Sequence, residues 1–371
     1  MSDSFDIAIC GAGVWGLAAA WRCARDGASV ALIDDGGLPA GHVAAGMLGA
    51  RAEADSQDPE MLGLLKEALS GWPAFSEAVS LDSGCRLGDT YPGALIAASR
   101  PEHIGVVRRL GETLAGSGSP ADWRPGSELR EIEPSLSSAV SGGLLLPEEG
   151  QVDPRRLLEA LRTACAAHDV EITAGRAVDM ETDSTATRVQ LADGAGVRAA
   201  SVVIAAGHGA RAIPGQPGVR PVKGQILRLR AEGAPPLTRA IRSPEVYILP
   251  RPSGEIVIGA TVEERSDTHV TAGAVLDLLE EAARICPELR EAELVEAAAG
   301  LRPATQDGRP FIGRVREGGP LFAVGGYRHG VLLAPVAAEL VWAELSGRTG
   351  PRVGTIVGSR TDREVGRSLA S

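Results

Sequence analysis

At 371 residues the chain is long enough for two substructures that share a large interface, and 44% hydrophobic with 23% charged residues is a globular composition, not a disordered or fibrous one. A net charge of -11 repels a phosphate backbone, and 5 Trp, 3 Tyr and 4 Phe are too few for a base-stacking platform, so nucleic acid is excluded as a partner. Five scattered cysteines (Cys10, Cys23, Cys85, Cys165, Cys286) form no CxxC pair, and no His stands at metal-ligand spacing. They read as reduced, buried thiols of a cytoplasmic protein without a metal.

In chain order, Phe5 to Cys10 reads as a buried strand, Trp15 to Arg25 as a helix and Ser29 to Ile33 as a second strand, together a βαβ unit. The first ten residues have no basic stretch before their apolar run, so they are expected to form a strand and not a signal peptide. A Gly- and Ala-rich loop runs from Asp34 to Ala52 and lets backbone amides approach a ligand, followed by a helix over about Pro59 to Ser80. Leu87 to Ala98 reads as a strand, Pro101 to Leu114 as a helix and Gly116 to Pro125 as a surface loop. Asp153 before Pro154 is a helix start, because Asp caps free amides and Pro fits the first turn; the helix runs to about His168, with a strand from Val170 to Thr173.

Ser201 to Gly207 is an apolar strand ending in Ala206-Gly207, as expected of a parallel strand whose carboxyl end meets a cofactor. From Pro221 the pattern turns antiparallel, with strands at Gln225 to Arg230, Val246 to Leu249 and Glu255 to Ala260 and a turn at Pro252-Ser253-Gly254. Ala272 to Cys286 reads as a helix, Leu321 to Val324 as the last buried strand and Leu332 to Leu345 as the last helix, before a polar tail after Gly358. No apolar stretch reaches the ~20 residues that span a bilayer, so no membrane is expected.

The chemistry begins at Gly11-Ala12-Gly13-Val14-Trp15-Gly16, set between the first strand and the first helix. Gly11 makes the turn, Gly13 lets the backbone meet a pyrophosphate, and Gly16 lets helix pack on strand. Asp34, closing the second strand, places a carboxylate for ribose hydroxyls. This motif alone leaves NAD and FAD both open.

Three further segments carry a resemblance: Val43-Ala44-Ala45-Gly46-Met47-Leu48-Gly49-Ala50, Gly300-Leu301-Arg302-Pro303 and Gly325-Gly326-Tyr327-Arg328-His329-Gly330. With the collinear landmarks Ala44 to Glu53, Gly142 to Arg155, Pro221 to Gln225, Tyr247 to Arg251, Val257 to Thr261, Gly300 to Gly313 and Tyr327 to Pro335, the chain resembles the flavin-dependent D-amino acid oxidase superfamily from Asp6 to about Glu344. Within it the likeness is to bacterial glycine oxidases of thiamine biosynthesis. The resemblance implies an α/β fold: a Rossmann-like FAD-binding domain of the glutathione reductase type (1–85, 145–215 and 300–358), an inserted antiparallel-sheet α+β substrate domain (86–144 and 216–299) and a tail (359–371). It implies non-covalent FAD, because no Cys stands near Tyr327 to Gly330, and a homo-oligomer, dimer or tetramer.

Cofactor contacts implied by the resemblance fall at Gly11, Gly13, Val14, Trp15, Gly16, Asp34 and Asp35, and at Ala44, Ala45, Gly46 and Met47 in the loop. Others fall at Ala177, Ala206 and Gly207, and at Gly326, His329, Gly330, Val331 and Leu332 before the last helix. Arg302, read as sitting in an Arg-Pro turn, offers a planar fork that suits a carboxylate, and the resemblance assigns it the substrate's. It also implies that Tyr247 helps hold that carboxylate and that Arg328 shields or contacts substrate. Three positions depart from the pattern: His329 where Asn is expected, Glu245 where His is frequent, and Val262 in place of Met. Glu245 is read as either reshaping amine recognition or facing solvent. Lys223 is read as a structural strand-end residue and not an oxygen-activating cation.

The expected reaction is hydride transfer from the α-carbon of a small amino acid to flavin, with oxygen yielding hydrogen peroxide and the imine hydrolysing. Glycine leads; sarcosine and small D-amino acids, or a dehydrogenase acting on another amine, are the alternatives. A non-catalytic flavin subunit is disfavoured by the presence of both Arg302 and Tyr247, and an NAD reductase by the lack of a second GxGxxG.

Overall fold

The chain folds around two sheets, seen in a computed structural model that describes residues 4–52, 58–119 and 121–347. Glu53 and the tail after Gly358 lie outside the described residues.

The amino end forms β1 (Phe5–Cys10), α1 (Val14–Arg25) and β2 (Val30–Asp34), the expected βαβ unit, with Ile7 beside Val30 in parallel register. A short helix α2 (Ala40–Val43) and strand β3 (Met47–Leu48) occupy the glycine-rich loop. Asp58 caps the long α3 (Pro59–Ser83) by accepting from the Met61 amide at 3.0 Å. Next come β4 (Ala94–Ala98), α4 (Pro101–Gly116), β5 (Trp123–Pro125), α5 (Gly126–Ile132), β6 (Gly142–Leu146) and β7 (Gly150–Gln151). The strand expected from Leu87 is therefore confined to its second half, and the expected loop ends in β5.

Asp153 caps α6 (Pro154–Ala167) through the Arg155 amide at 2.9 Å, and β8 (Glu171–Ala174), β9 (Ala177–Thr182), β10 (Thr187–Leu191) and β11 (Gly196–Ile204) follow. The rest comprises β12 (Arg220–Arg230), β13 (Ala240–Arg242), β14 (Tyr247–Pro250), β15 (Glu255–Gly259), α7 (Ala272–Ile285), β16 (Glu293–Ala304), β17 (Phe311–Arg314), β18 (Leu321–Val324) and α8 (Ala334–Ser346). Arg302 and Pro303 thus lie within β16 and not in a turn. Pro303 is tolerated there because β16 is an edge strand, paired only with β12. The strand also runs across the domain boundary expected at residue 300.

Among the described residues, β17-β18-β11-β1-β2-β8 form one sheet, with the β9–β10 hairpin on β11, and β16-β12-β15-β14-β13-β4-β6-β5 form the second. In the first sheet β18, β11, β1, β2 and β8 run parallel; β1, β2 and β18 are buried on both faces, whereas the edge strand β8 is largely exposed. Ile7, Ile9, Val30 and Leu32 join the core under α1, α3, α6 and α8, whereas Ala8, Cys10, Ala31 and Ile33 join a second core behind. This two-sided burial is why β1 and β2 read as unbroken apolar runs. Four cysteines are buried; Cys85 is exposed, contrary to expectation, because it follows the left-handed C-cap Gly84 of α3 on the surface. No described helix is long and apolar enough to cross a membrane.

Candidate active site

A cavity of about 430 Å³ opens between the carboxyl ends of β1, β2, β11 and β18 and the inner face of the second sheet. This is where a doubly wound sheet places a ligand.

Its first end is built by the β1–α1 turn. Gly11 adopts φ +112, and a β-carbon there would stand 2.6 Å from the Ala205 carbonyl oxygen, so only glycine lets the turn lie against the end of β11. Gly13, Val14 and Trp15 follow along the cavity wall at the amino end of α1, whose first turn holds no acidic residue to compete for an anion. Gly16 does not line the cavity; it packs against the Gly11 carbonyl. Asp34 and Asp35 line it at the end of β2, and Asp34 is oriented by the Gly36 amide (3.1 Å) and Arg162 (2.8 Å).

Ala44, Ala45, Gly46 and Met47 form the adjoining wall. Their loop is clamped from three directions: buried Arg251 donates to the Ala45 carbonyl, the Val152 amide donates to the Gly46 carbonyl at 2.9 Å, and β3 pairs with β7. Burial lowers the Arg251 guanidinium to about 10. Ala177, Ala206 and Gly207 line the cavity from β9 and the end of β11.

Gly326, Arg328, Gly330 and Val331 line it from the turn before α8. Trp15 Nε1 donates to the Gly330 carbonyl at 2.7 Å, and Trp72 Nε1 donates to that of Leu332 at 2.7 Å, so α1 and α3 fix this turn. His329 and Leu332 are in the turn but do not line the cavity. Sequence reasoning missed His208, which follows Gly207 at the wall; burial, then Arg211, lowers its pKa. It also missed Arg242, placed opposite Tyr247 by the β13–β14 register. Adjacency to Gly207 was an available signal for His208, whereas Arg242 neighbours Tyr247 only across the β13–β14 register, which the sequence does not show.

At the far end, Arg302 and Tyr247 both line the cavity. Arg302 Nη1 donates to the carbonyls of Thr261 (3.0 Å) and Lys223 (3.3 Å), which hold the guanidinium plane. A β-carbon at Gly224 would lie 2.3 Å from Arg302 Nη2, so the missing side chain on β12 is the space the fork occupies. Among the described residues nothing accepts from its Nη2 or Nε. The Tyr247 ring lies over Gly259, its register partner on β15. Glu245 and Val262 line the cavity as well, and the Glu245 carboxylate is 3.0 Å from His103 Nε2. Lys223 faces away: it is fully buried and pairs with Asp267 at 2.8 Å.

The FAD dependent oxidoreductase family called DAO matches residues 6–343. Glycine oxidase of Geobacillus kaustophilus (strain HTA426) is 33% identical over 351 residues, covering 92% of this chain and 93% of that protein. The bifunctional protein ThiO/ThiG of Nostoc sp. (strain PCC 7120 / SAG 25.82 / UTEX 2576) is 34% identical over 344 residues, 91% of this chain and 52% of its own length, so the match spans about half of it. The crystal structure of glycine oxidase from Geobacillus kaustophilus superposes with a TM-score of 0.88 at 32% identity, covering 94% of this chain and 96% of that one.

Proposed function

The chain belongs to the DAO family of FAD dependent oxidoreductases, and on that premise we propose that it oxidatively deaminates a small amino acid, glycine first, with oxygen as the electron acceptor. FAD when bound supplies the two-electron oxidant, and it suits the observed donor set: an open helix amino terminus, a glycine turn with room for a backbone-bound anion, and Asp34 as a ribose acceptor. In this reading Gly11, Gly13, Val14, Trp15, Asp34, Asp35, Ala177, Ala206 and Gly207 line the dinucleotide. Ala44 to Met47, Gly326, Gly330 and Val331 face the ring, while Gly16, His329 and Leu332 act by shaping the turns they belong to. The first, mostly parallel sheet is the cofactor half and the second, mostly antiparallel sheet the substrate half.

The observation that carries the reading is that one cavity runs from the Gly11 turn to a guanidinium held only by two carbonyls. Arg302 binds the substrate carboxylate, Tyr247 donates its hydroxyl to the same group, and Arg328 covers it from the exposed side. Orientation over the cofactor and exclusion of water need no protein base for the α-carbon. Glycine, oxygen and water would give glyoxylate, ammonia and hydrogen peroxide. The reading includes a cytoplasmic homo-oligomer, the former supported by five free cysteines.

The test is anaerobic mixing of the purified, FAD-loaded protein with glycine, sarcosine, D-alanine and D-proline. Bleaching of the flavin absorbance by one of them, and stoichiometric peroxide on readmitting air, is expected. A flavin that none of them reduces overturns the proposal.

A further inference from the structure

Among the described residues, the cavity near Arg302 is lined by three arginines, Arg242, Arg302 and Arg328, and by one acidic residue, Glu245. The other acidic lining residues, Asp34 and Asp35, belong to the opposite end, on β2. One carboxylate among cations at the substrate end is a device for discrimination. Like-charge contact with it is costly, and a cation facing it is favoured.

Glu245 is held in place. Both of its oxygens lie 3.0 Å from Nε2 of His103, a buried residue of α4 whose Nδ1 is 3.4 Å from Ser99 Oγ. The compatible tautomer has Ser99 donating to Nδ1 and Nε2–H donating to Glu245. The Arg100 guanidinium, which also feels Glu245, is committed to Glu281. A carboxylate accepts in about four directions, so one histidine N–H leaves most of its capacity for a ligand, and the side chain keeps 41% of its surface exposed. Glu245 sits in the turn between β13 and β14, which the Ser243 amide closes on the Val246 carbonyl at 2.7 Å, so its side chain enters the cavity from a connection and not from the strand that carries Tyr247.

Resting on the oxidase reading, we propose that Glu245, positioned by His103, sets specificity for the substrate's distal group. Among amino acids longer than glycine it favours those that carry a second, positively charged nitrogen, the diaminobutyrate and ornithine class, over those with a second carboxylate. Arg302 takes the α-carboxylate in either case.

The experiment is titration of the FAD-loaded protein with acetate, 4-aminobutyrate and succinate, following the flavin absorbance, in the parent, Glu245→Gln and Glu245→Asp. The parent should bind 4-aminobutyrate about tenfold more tightly than acetate, and succinate more weakly than acetate. Glu245→Gln should abolish that ratio, and Glu245→Asp, which restores the charge, should recover part of it. Should acetate and 4-aminobutyrate bind with a ratio that is the same in the parent and Glu245→Gln, the inference fails and the oxidase reading stands. Should none of the three carboxylates disturb the flavin, both fail together.

Discussion

Arg302 gains its geometry from atoms that are not side chains: two carbonyls fix Nη1, and the bare backbone of Gly224 leaves the space. Removing the guanidinium with Arg302→Ala should raise the substrate KM on the order of 100-fold, with the flavin spectrum unchanged, because a charge-assisted bidentate contact is lost and no cofactor contact is. Gly224→Ala should act on the same fork without touching its charge. A β-carbon 2.3–2.4 Å from three guanidinium atoms forces Arg302 aside, and a misplacement of about 1 Å can cost roughly 100-fold. Combining the two changes should cost no more than Arg302→Ala alone, whereas additive losses would place Gly224 outside the anchor. Arg302 and Tyr247 were legible in the sequence because a resemblance carried their positions. Arg251 stood in a quoted landmark, but its hold on the Ala45 carbonyl was not legible, since the pairing of residues 206 apart depends on the folded sheets.

At the scale of elements, legibility followed burial. The parallel strands β1, β2 and β18, closed on both faces, were read from apolar runs alone. The exposed β9 strand shows no alternation to find, and β16 hides a long edge strand behind alanines and a proline. The ribbon of β3 and β7 was likewise invisible, yet it carries a titratable group. Glu149, next to β7, is fully buried; its Oε1 accepts from the Arg51 amide at 2.9 Å and its Oε2 has no hydrogen-bond partner among the described residues. Burial pushes its carboxyl from 4.5 to about 7, despite the opposing pull of Arg51. Between those two values the folded protein holds a proton that the unfolded chain has released. Stability therefore falls as pH rises through that window, by about 3 kcal/mol at most, and levels off above pH 7. Glu149→Gln should remove the slope, so its gain over the parent in denaturant melts should be larger at pH 8 than at pH 5. An offset equal at both values would mean that Glu149 ionises in the fold as it does in water.

For the whole molecule, the cavity lies between two sheets joined beside it by polar links, such as Arg155 of α6 with Glu296 of β16 at 2.8 Å, and by apolar ones, such as Ala45 against Ile226, Leu249 and Val257. A dinucleotide filling that gap binds the folded state alone. FAD at 100 times its dissociation constant should then stabilise the protein by about 2.7 kcal/mol. Thermal melts of deflavinated protein against FAD concentration should show a Tm that climbs with added cofactor, and a flat Tm would argue that the sheets close without it. The strand order has a further outcome during synthesis. β18 inserts beside β11, and α8 packs on α1 to close the core over that helix, so the first sheet waits for the last stretch of described chain. A nascent chain still tethered to the ribosome after β16 already holds every strand of the second sheet, yet its dinucleotide crevice lacks the wall from Gly325 to Val331. Cofactor capture thus becomes a late event, and truncation before β17 should leave a product with an open apolar helix face for chaperones to shield.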